Sequence, residues 1–284
     1  MSKKNKEKRR KEKAKNPPLR QQIKEAPVLF TVYVVLRVLV VLAMVLQFFN
    51  GEYFNVLLCG LTLVLFTLPS LIERKLKIEI PNVLEVIILI FIFSAEILGE
   101  IASYYVKYPG WDTALHTITG FLAAAVGFSL VELLNRTSSK IDLSPFYLAF
   151  VAFCFSMTVA CMWEFFEFSM DKFFGMDMQK DYIINTINTV TLDPTMSNKV
   201  VHIKNITQTS VNGVDLGING YLDIGLIDTM KDMFVNFIGA VVFSIFGFFY
   251  ERAILKGKKK NFAGNFIPRK IKETETENDK GDNK

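Results

Sequence analysis

The chain has 284 residues, 51% of them hydrophobic and 21% charged, with a formal net charge of +5, three cysteines and two histidines. Two histidines exclude a three-histidine catalytic zinc centre. Cys59, Cys154 and Cys161 are odd in number, lack ligand-like spacing and read as packing residues.

Hydropathy is concentrated in six runs: Pro27 to Phe49, Tyr53 to Ile72, Val83 to Tyr105, Thr113 to Leu134, Phe146 to Phe168 and Met230 to Tyr250. Each approaches or exceeds the roughly 20 residues a helix needs to cross ~30 Å of hydrocarbon. The expected fold is an all-α polytopic membrane protein, a six-helix transmembrane bundle with a small extracytoplasmic β-containing insertion. Residues 1–26 form a basic cytoplasmic tail, 27–250 the membrane domain with its insertion at 173–226, and 251–284 a charged, disordered cytoplasmic tail.

The segment Lys3 to Lys15 carries nine Lys or Arg against Glu7 and Glu12, and Lys256, Lys258, Lys259 and Lys260 follow the last run. The positive-inside bias places both ends in the cytoplasm, which requires an even number of crossings. Juxtamembrane basic clusters of this kind meet anionic lipid headgroups, so membrane lipids are the expected partners and nucleic acid is not. The apolar run begins too late and runs too long for a cleaved signal peptide, so the first helix remains as an anchor.

In chain order, the first two helices form a hairpin turning at Asn50 to Glu52, and Glu73 to Pro81 returns inside. The third helix rises to Lys107, the fourth descends from Asp112, and the fifth rises to Asp171. The insertion then lies outside. Its alternating stretch Val201 to Ile206 and its pairs Asn212–Gly213 and Asn219–Gly220 are hairpin chemistry. Walker, Rossmann, HExxH and GxSxG motifs are absent, which argues against nucleotide-driven transport by this chain alone.

Ionisable groups cost several kcal/mol inside a bilayer, so their placement is informative. Glu96 and Glu100 lie on the third helix, Asp112 and His116 open the fourth, Glu164, Glu167 and Asp171 close the fifth, and Asp228, Asp232 and Asn236 open the sixth. Spacings of three or four put each set on one stripe. The topology gathers all four stripes near the outer rim, where Lys107, Lys172 and Lys231 are few partners for so many carboxylates. Such carboxylates bind a cation, share protons or stay wet. Asp112, His116, Glu164, Glu167, Asp171, Asp228 and Asp232 are therefore candidate metal ligands, and His116 is ligand or general base. One His among carboxylates suits Mg²⁺, Mn²⁺, Ca²⁺ or, less naturally, Zn²⁺. Glu96, Glu100 and Asn236 are structural polar groups, and Arg37, deep in the first helix, is expected to pair with Glu96.

The motifs WDTALHTITGF at Trp111 to Phe121, WEFFEFSMD at Trp163 to Asp171 and DTMKD at Asp228 to Asp232 resemble the YjdF-like family of bacterial integral membrane proteins. That resemblance implies a membrane fold, a bacterial cell membrane location and no assigned reaction. The spacing Asp232, Asn236, Gly239 after an Asp112–His116 pair is also similar to VanZ-like proteins, which implies a cell-envelope role.

Three functions stay open at the level of sequence. One is an outward-facing, divalent-metal-assisted site acting on a lipid or cell-envelope headgroup. The second is a transporter of a small solute or ion, which calls for polar groups at mid-depth. The third is a non-catalytic interaction or structural protein whose insertion binds a partner. Whether the chain is an enzyme, and its oligomeric state, are not readable from residues alone.

Overall fold

A computed structural model describes residues 26–76, 78–137, 142–257, 266–267 and 269–270. The basic segment before Ala26 and the acidic and lysine-rich end after Lys270, both expected as cytoplasmic tails, lie outside the described residues.

Helix α1, Pro27–Phe49, starts on a proline, whose missing N–H would have no intrahelical partner there anyway. Val40 is its one buried residue, and Val34, Val38, Leu42 and Leu46 are all exposed. An apolar face of this extent belongs against lipid rather than water. The hairpin turns at Gly51, whose φ of +79° an L side chain rarely adopts, and Asn55 donates to Gln47 across it at 3.1 Å.

Helices α2, Tyr53–Leu65, and α3, Leu68–Leu76, form one path interrupted at Phe66–Thr67. Pro69 lies just after the break and removes one backbone donor from the ladder. Together they are long and apolar enough to cross a membrane.

The third predicted span departs from expectation. Helix α4, Asn82–Phe93, passes into a π-helical stretch at Ser94–Ile101. That stretch ends where the Ala102 N–H bonds back five residues to the Ile97 carbonyl at 2.9 Å and Ser103 turns left-handed. The ring of Tyr105 packs over Gly99, occupying the space a Cβ would need. Tyr104–Lys107 is a separate short helix, α5. Five helices, not six, are therefore long and apolar enough to span a membrane among the described residues.

Helices α6, Trp111–Thr137, α7, Pro145–Phe174, and α8, Leu226–Leu255, make the principal bundle. Ser144 caps α7, accepting from the Tyr147 N–H at 3.2 Å, and Pro145 follows at the first helical position. Helices α6 and α8 run parallel in a nearly constant register: His116 faces Asp232, Gly120 faces Asn236, Phe128 faces Gly247 and Arg136 faces Glu251. Close approach follows from small residues. A Cβ on Gly120 would strike the Asn236 carbonyl, and one on Gly239 the Thr117 carbonyl. Below this crossing Ala124, Ala125, Phe128, Ala152, Ala240 and Phe243 are at most 1% exposed.

Between α7 and α8 the insertion holds three two-stranded antiparallel pairs. β2, Ile183–Ile184, pairs with β7, Tyr221–Leu222; β3, Thr186–Thr189, with β4, Val201–Lys204; and β5, Ser210–Val211, with β6, Val214–Asp215. Asn212 and Gly213, with φ of 52° and 82°, close the β5–β6 hairpin as two left-handed residues. Asn219 is also left-handed but leads into β7, so the second Asn–Gly pair makes no hairpin of its own.

At the other end, α8 continues past Tyr250 to Leu255. Ile267 is fully buried against the core of α6, α7 and α8. β8, Arg269–Lys270, pairs antiparallel with β1, Ile78–Glu79.

Candidate functional site

Asp112 stands in the first turn of α6 and Asp228 in the first turn of α8, where helix N-termini favour carboxylates. His116 follows Asp112 by one turn, and its Nε2 lies 3.5 Å from Asp112 Oδ1. Across the helix pair the same nitrogen is 3.9 Å from Asp232 Oδ2. One ligand atom from each of Asp112, His116 and Asp232 can be chosen so that all lie within 4.8 Å of one another. Two oxygens on opposite sides of a calcium ion stand about 4.6 to 5.2 Å apart, so this spacing accommodates a divalent cation.

Asp232 is 1% exposed, and its oxygens face the carboxyl of Asp112 with no other hydrogen-bond donor beside them. A carboxylate so buried requires neutralisation by a proton or a cation. One turn deeper, Asn236 is fully buried and donates from Nδ2 to Ser156 Oγ at 3.5 Å, while Ser156 donates to the Gly120 carbonyl at 2.8 Å. This thread of polar groups joins α8, α7 and α6 beneath the cluster.

The remaining acidic residues divide by their partners. Glu164 on α7 is buried, with the Thr229 hydroxyl and the Gln179 amide as its polar neighbours, whereas Glu167 accepts from Trp163 Nε1 at 2.8 Å. Asp171 accepts the backbone N–H of Met178 at 2.6 Å and of Gln179 at 2.8 Å. Asp228 accepts the Lys180 N–H at 2.9 Å. Asp171 and Asp228 thus tie down the strap that follows α7, and they are not members of the Asp112–His116–Asp232 cluster.

The strap has further ties that sequence spacing missed. Asp223 accepts from the N–H groups of Tyr182 and Ile227, both at 2.7 Å. Gln179 donates to Thr229 at 2.6 Å, and Lys231 to the Tyr182 hydroxyl at 2.8 Å. An Asp placed just before an amphipathic start, followed by Gly225, was the available signal for Asp223.

Arg37 does not pair with Glu96. Its Nη2 donates to the Tyr33 hydroxyl at 3.0 Å, its guanidinium lies 4.2 Å from the centre of that ring, and Tyr33 in turn donates to the Phe66 carbonyl at 2.6 Å. The tyrosine sits one turn away on the same helix. Glu96 and Glu100 lie in the π-helical stretch, outside the three-residue cluster.

Residues 31–253 match the family described as a predicted membrane protein (DUF2238). No curated protein and no solved structure matches the chain.

Proposed function

We propose that this chain, which belongs to the DUF2238 family of predicted membrane proteins, binds one divalent cation between Asp112, His116 and Asp232 and applies it to the headgroup of a lipid or another cell-envelope component. The observation that carries this reading is Asp232, buried beside an imidazole nitrogen and a second carboxylate. Asp112 and Asp232 supply hard oxygen ligands, and His116 is ligand or general base. Glu164, buried on the neighbouring helix and within electrostatic reach of Asp112, is the carboxyl group we assign to exchange a proton with a bound headgroup.

The site lies at the same end of the bundle as the insertion. We assign that end to the outside, with the continuous helical path Asn82–Ile101 as a sixth crossing. An even count keeps both basic ends in the cytoplasm, whereas five crossings would separate them. The YjdF-like and VanZ-like motifs support a bacterial cell-envelope location. A second reading, a non-catalytic bundle, is favoured by one observation: both oxygens of Asp171 and one of Asp228 accept from the strap.

Titration of the purified full-length chain with Mn²⁺, followed by electron paramagnetic resonance, separates the two. The expected result is one ion per chain, with affinity falling at least about tenfold in both His116→Ala and Asp232→Asn. Equal Mn²⁺ binding by wild type and Asp232→Asn, or none by wild type, would leave a proton-sharing structural cluster.

A further inference from the structure

Asn236 has no exposure at all and stands one turn below Asp232 on α8. Its amide is oriented by α7. Ser156 gives its single proton to the Gly120 carbonyl at 2.8 Å, so toward Asn236 its oxygen can only accept. Nδ2 accordingly donates to Ser156 Oγ at 3.5 Å and to Met157 Sδ at 3.7 Å. The carbonyl oxygen of the amide is thereby turned away from α7, and no donor meets it. An acceptor stripped of water and left without a donor is among the least favourable groups to keep in an interior.

Helix geometry fixes what that oxygen can reach. Residues four apart lie on one face with about 5 to 6 Å between Cβ atoms, and side chains lean toward the N-terminal end of their helix. On α8 that end carries Asp232, so Asn236 leans toward the Asp232 carboxyl, whose Oδ2 lies 3.9 Å from His116 Nε2. Two oxygens in the shell of one divalent cation stand ~3 to 5 Å apart, a gap that a carboxyl and an amide at this spacing span. The atoms to be satisfied on this face, Asn236 Oδ1 and the oxygens of Asp232, are acceptors. One cation satisfies them together, where a water molecule has two protons to offer.

Charge gives the reason for an amide here instead of a third acid. Asp112 and Asp232 together balance a divalent ion, and a carboxylate at position 236 would leave one negative charge uncompensated in the interior. A neutral carbonyl adds a hard ligand and no charge. We infer, building on the cation site proposed above, that Asn236 Oδ1 is a fourth protein ligand of that ion, joining Asp112, His116 and Asp232. Three hard oxygens around one imidazole suit an oxygen-preferring ion such as Mn²⁺ or Mg²⁺.

Mn²⁺ titration of the purified full-length chain by electron paramagnetic resonance, with thermal melting alongside, tests this in Asn236→Ala and Asn236→Asp. Asn236→Ala should weaken Mn²⁺ binding at least about tenfold. Asn236→Leu, which fills the same space without a polar atom, stands in should the alanine variant fail to fold. Asn236→Asp keeps the oxygen and should bind Mn²⁺ within about threefold of wild type or more tightly, with a larger Mn²⁺-induced rise in melting temperature, because the ion also neutralises the added charge. An aspartate variant that folds only with Mn²⁺ present meets the expectation, and one that Mn²⁺ fails to rescue overturns it. If Asn236 served only to hold α8 against α7, aspartate would lose the donated bonds as alanine does. Equal loss of Mn²⁺ affinity in the two variants would therefore overturn the inference. Mn²⁺ binding kept in Asn236→Ala but lost in His116→Ala would overturn it too, while leaving the three-residue site standing. No Mn²⁺ bound by wild type would remove site and fourth ligand together.

Discussion

Replacing Gly239 by alanine tests whether the close approach of α6 and α8 builds the site. A Cβ at Gly239 would meet the Thr117 carbonyl oxygen well inside contact, the Phe121 nitrogen at 2.9 Å and the Thr117 carbonyl carbon at 3.1 Å. All three are backbone atoms, so no rotamer change relieves the clash. Carbon contacts settle near 3.5 to 4.0 Å, so the two helices must separate by about 1 Å. Overpacking of this kind costs about 1 to 3 kcal/mol. Alanine's better helix propensity returns up to about 1 kcal/mol, leaving at full return a net loss between about 0 and 2 kcal/mol.

The same separation reaches the cluster. Asp232 lies seven residues, roughly 10 Å, above Gly239 on α8, while His116 is fixed to α6. Opening their 3.9 Å separation by about 1 Å gives about 4.9 Å, within reach of opposite ligands on calcium but beyond the ~4.0 to 4.2 Å that opposite ligands of a magnesium-sized ion span. Gly239→Ala should therefore lower both the melting temperature in detergent and the Mn²⁺ affinity, although Gly239 itself touches no ion. Gly60→Ala is the control, since a Cβ there meets nothing within 4 Å. If Gly239→Ala melted and bound Mn²⁺ as Gly60→Ala does, the helix crossing would not be what sets the geometry.

Tyr33→Phe should destabilise the protein by about 1 to 3 kcal/mol, because it strips Arg37 and the Phe66 carbonyl of a shared partner. Glu96→Gln should leave thermal unfolding nearly unchanged, and a large loss there would restore the Arg37–Glu96 pairing. Asp193 accepts from the side chain of Thr195 and from the N–H groups of Lys199, Thr195 and Ser197, which hold its carboxyl below the usual range. Its contribution is complete above the unfolded value near pH 4 and is lost as pH falls through the lower folded value. Hydrogen exchange at residues 193–199 should therefore stay protected down to about pH 4 and open only in stronger acid; opening between pH 7 and 5 would contradict this. Asp171→Asn replaces one of two acceptors on the strap with a donor, so protease cleavage within residues 175–182 should rise.

Sequence made the apolar spans legible because hydrocarbon thickness imposes a length and a composition on them. It also brought out the Asp112–His116 stripe, since helical periodicity fixes which residues share a face. What it left dark depends on contacts. The change to π-helix at Ser94–Ile101 leaves no apolar gap to read, because a π-turn changes hydrogen bonding without changing residue type. Arg37 found Tyr33, four residues away, where depth alone suggested Glu96. Spacing placed Asp171 and Asp228 with Asp232, but backbone N–H groups of the strap, invisible in side-chain patterns, claimed the first two. The burial of Asp232 against Asp112 emerges only once its surroundings are assembled.

The interior between the two ends of the bundle bears on what the upper cluster can do. Glu132, Arg136 and Glu251 form a second ionised group at the far end of the same helix pair. It lies 16 residues below His116 along α6 and 19 below Asp232 along α8, or about 24 to 28 Å. Below Asn236 the packing is alanine against phenylalanine, with Ala124, Phe128, Ala240 and Phe243 at most 1% exposed. Hydroxyls at this depth are short: Ser129 is turned onto the Ala125 carbonyl, and Ser244 carries a buried, unbonded oxygen. A cation leaving Asp232 for the far cluster would shed its ligands with nothing comparable among the described residues to receive it, at the expense that makes isolated charges rare in hydrocarbon. The polar thread through Asn236 and Ser156 stops one turn below the cluster, and the layer beneath it acts as a floor. That arrangement supports a site that exchanges with one face of the membrane and works on what arrives there, over one that passes an ion through.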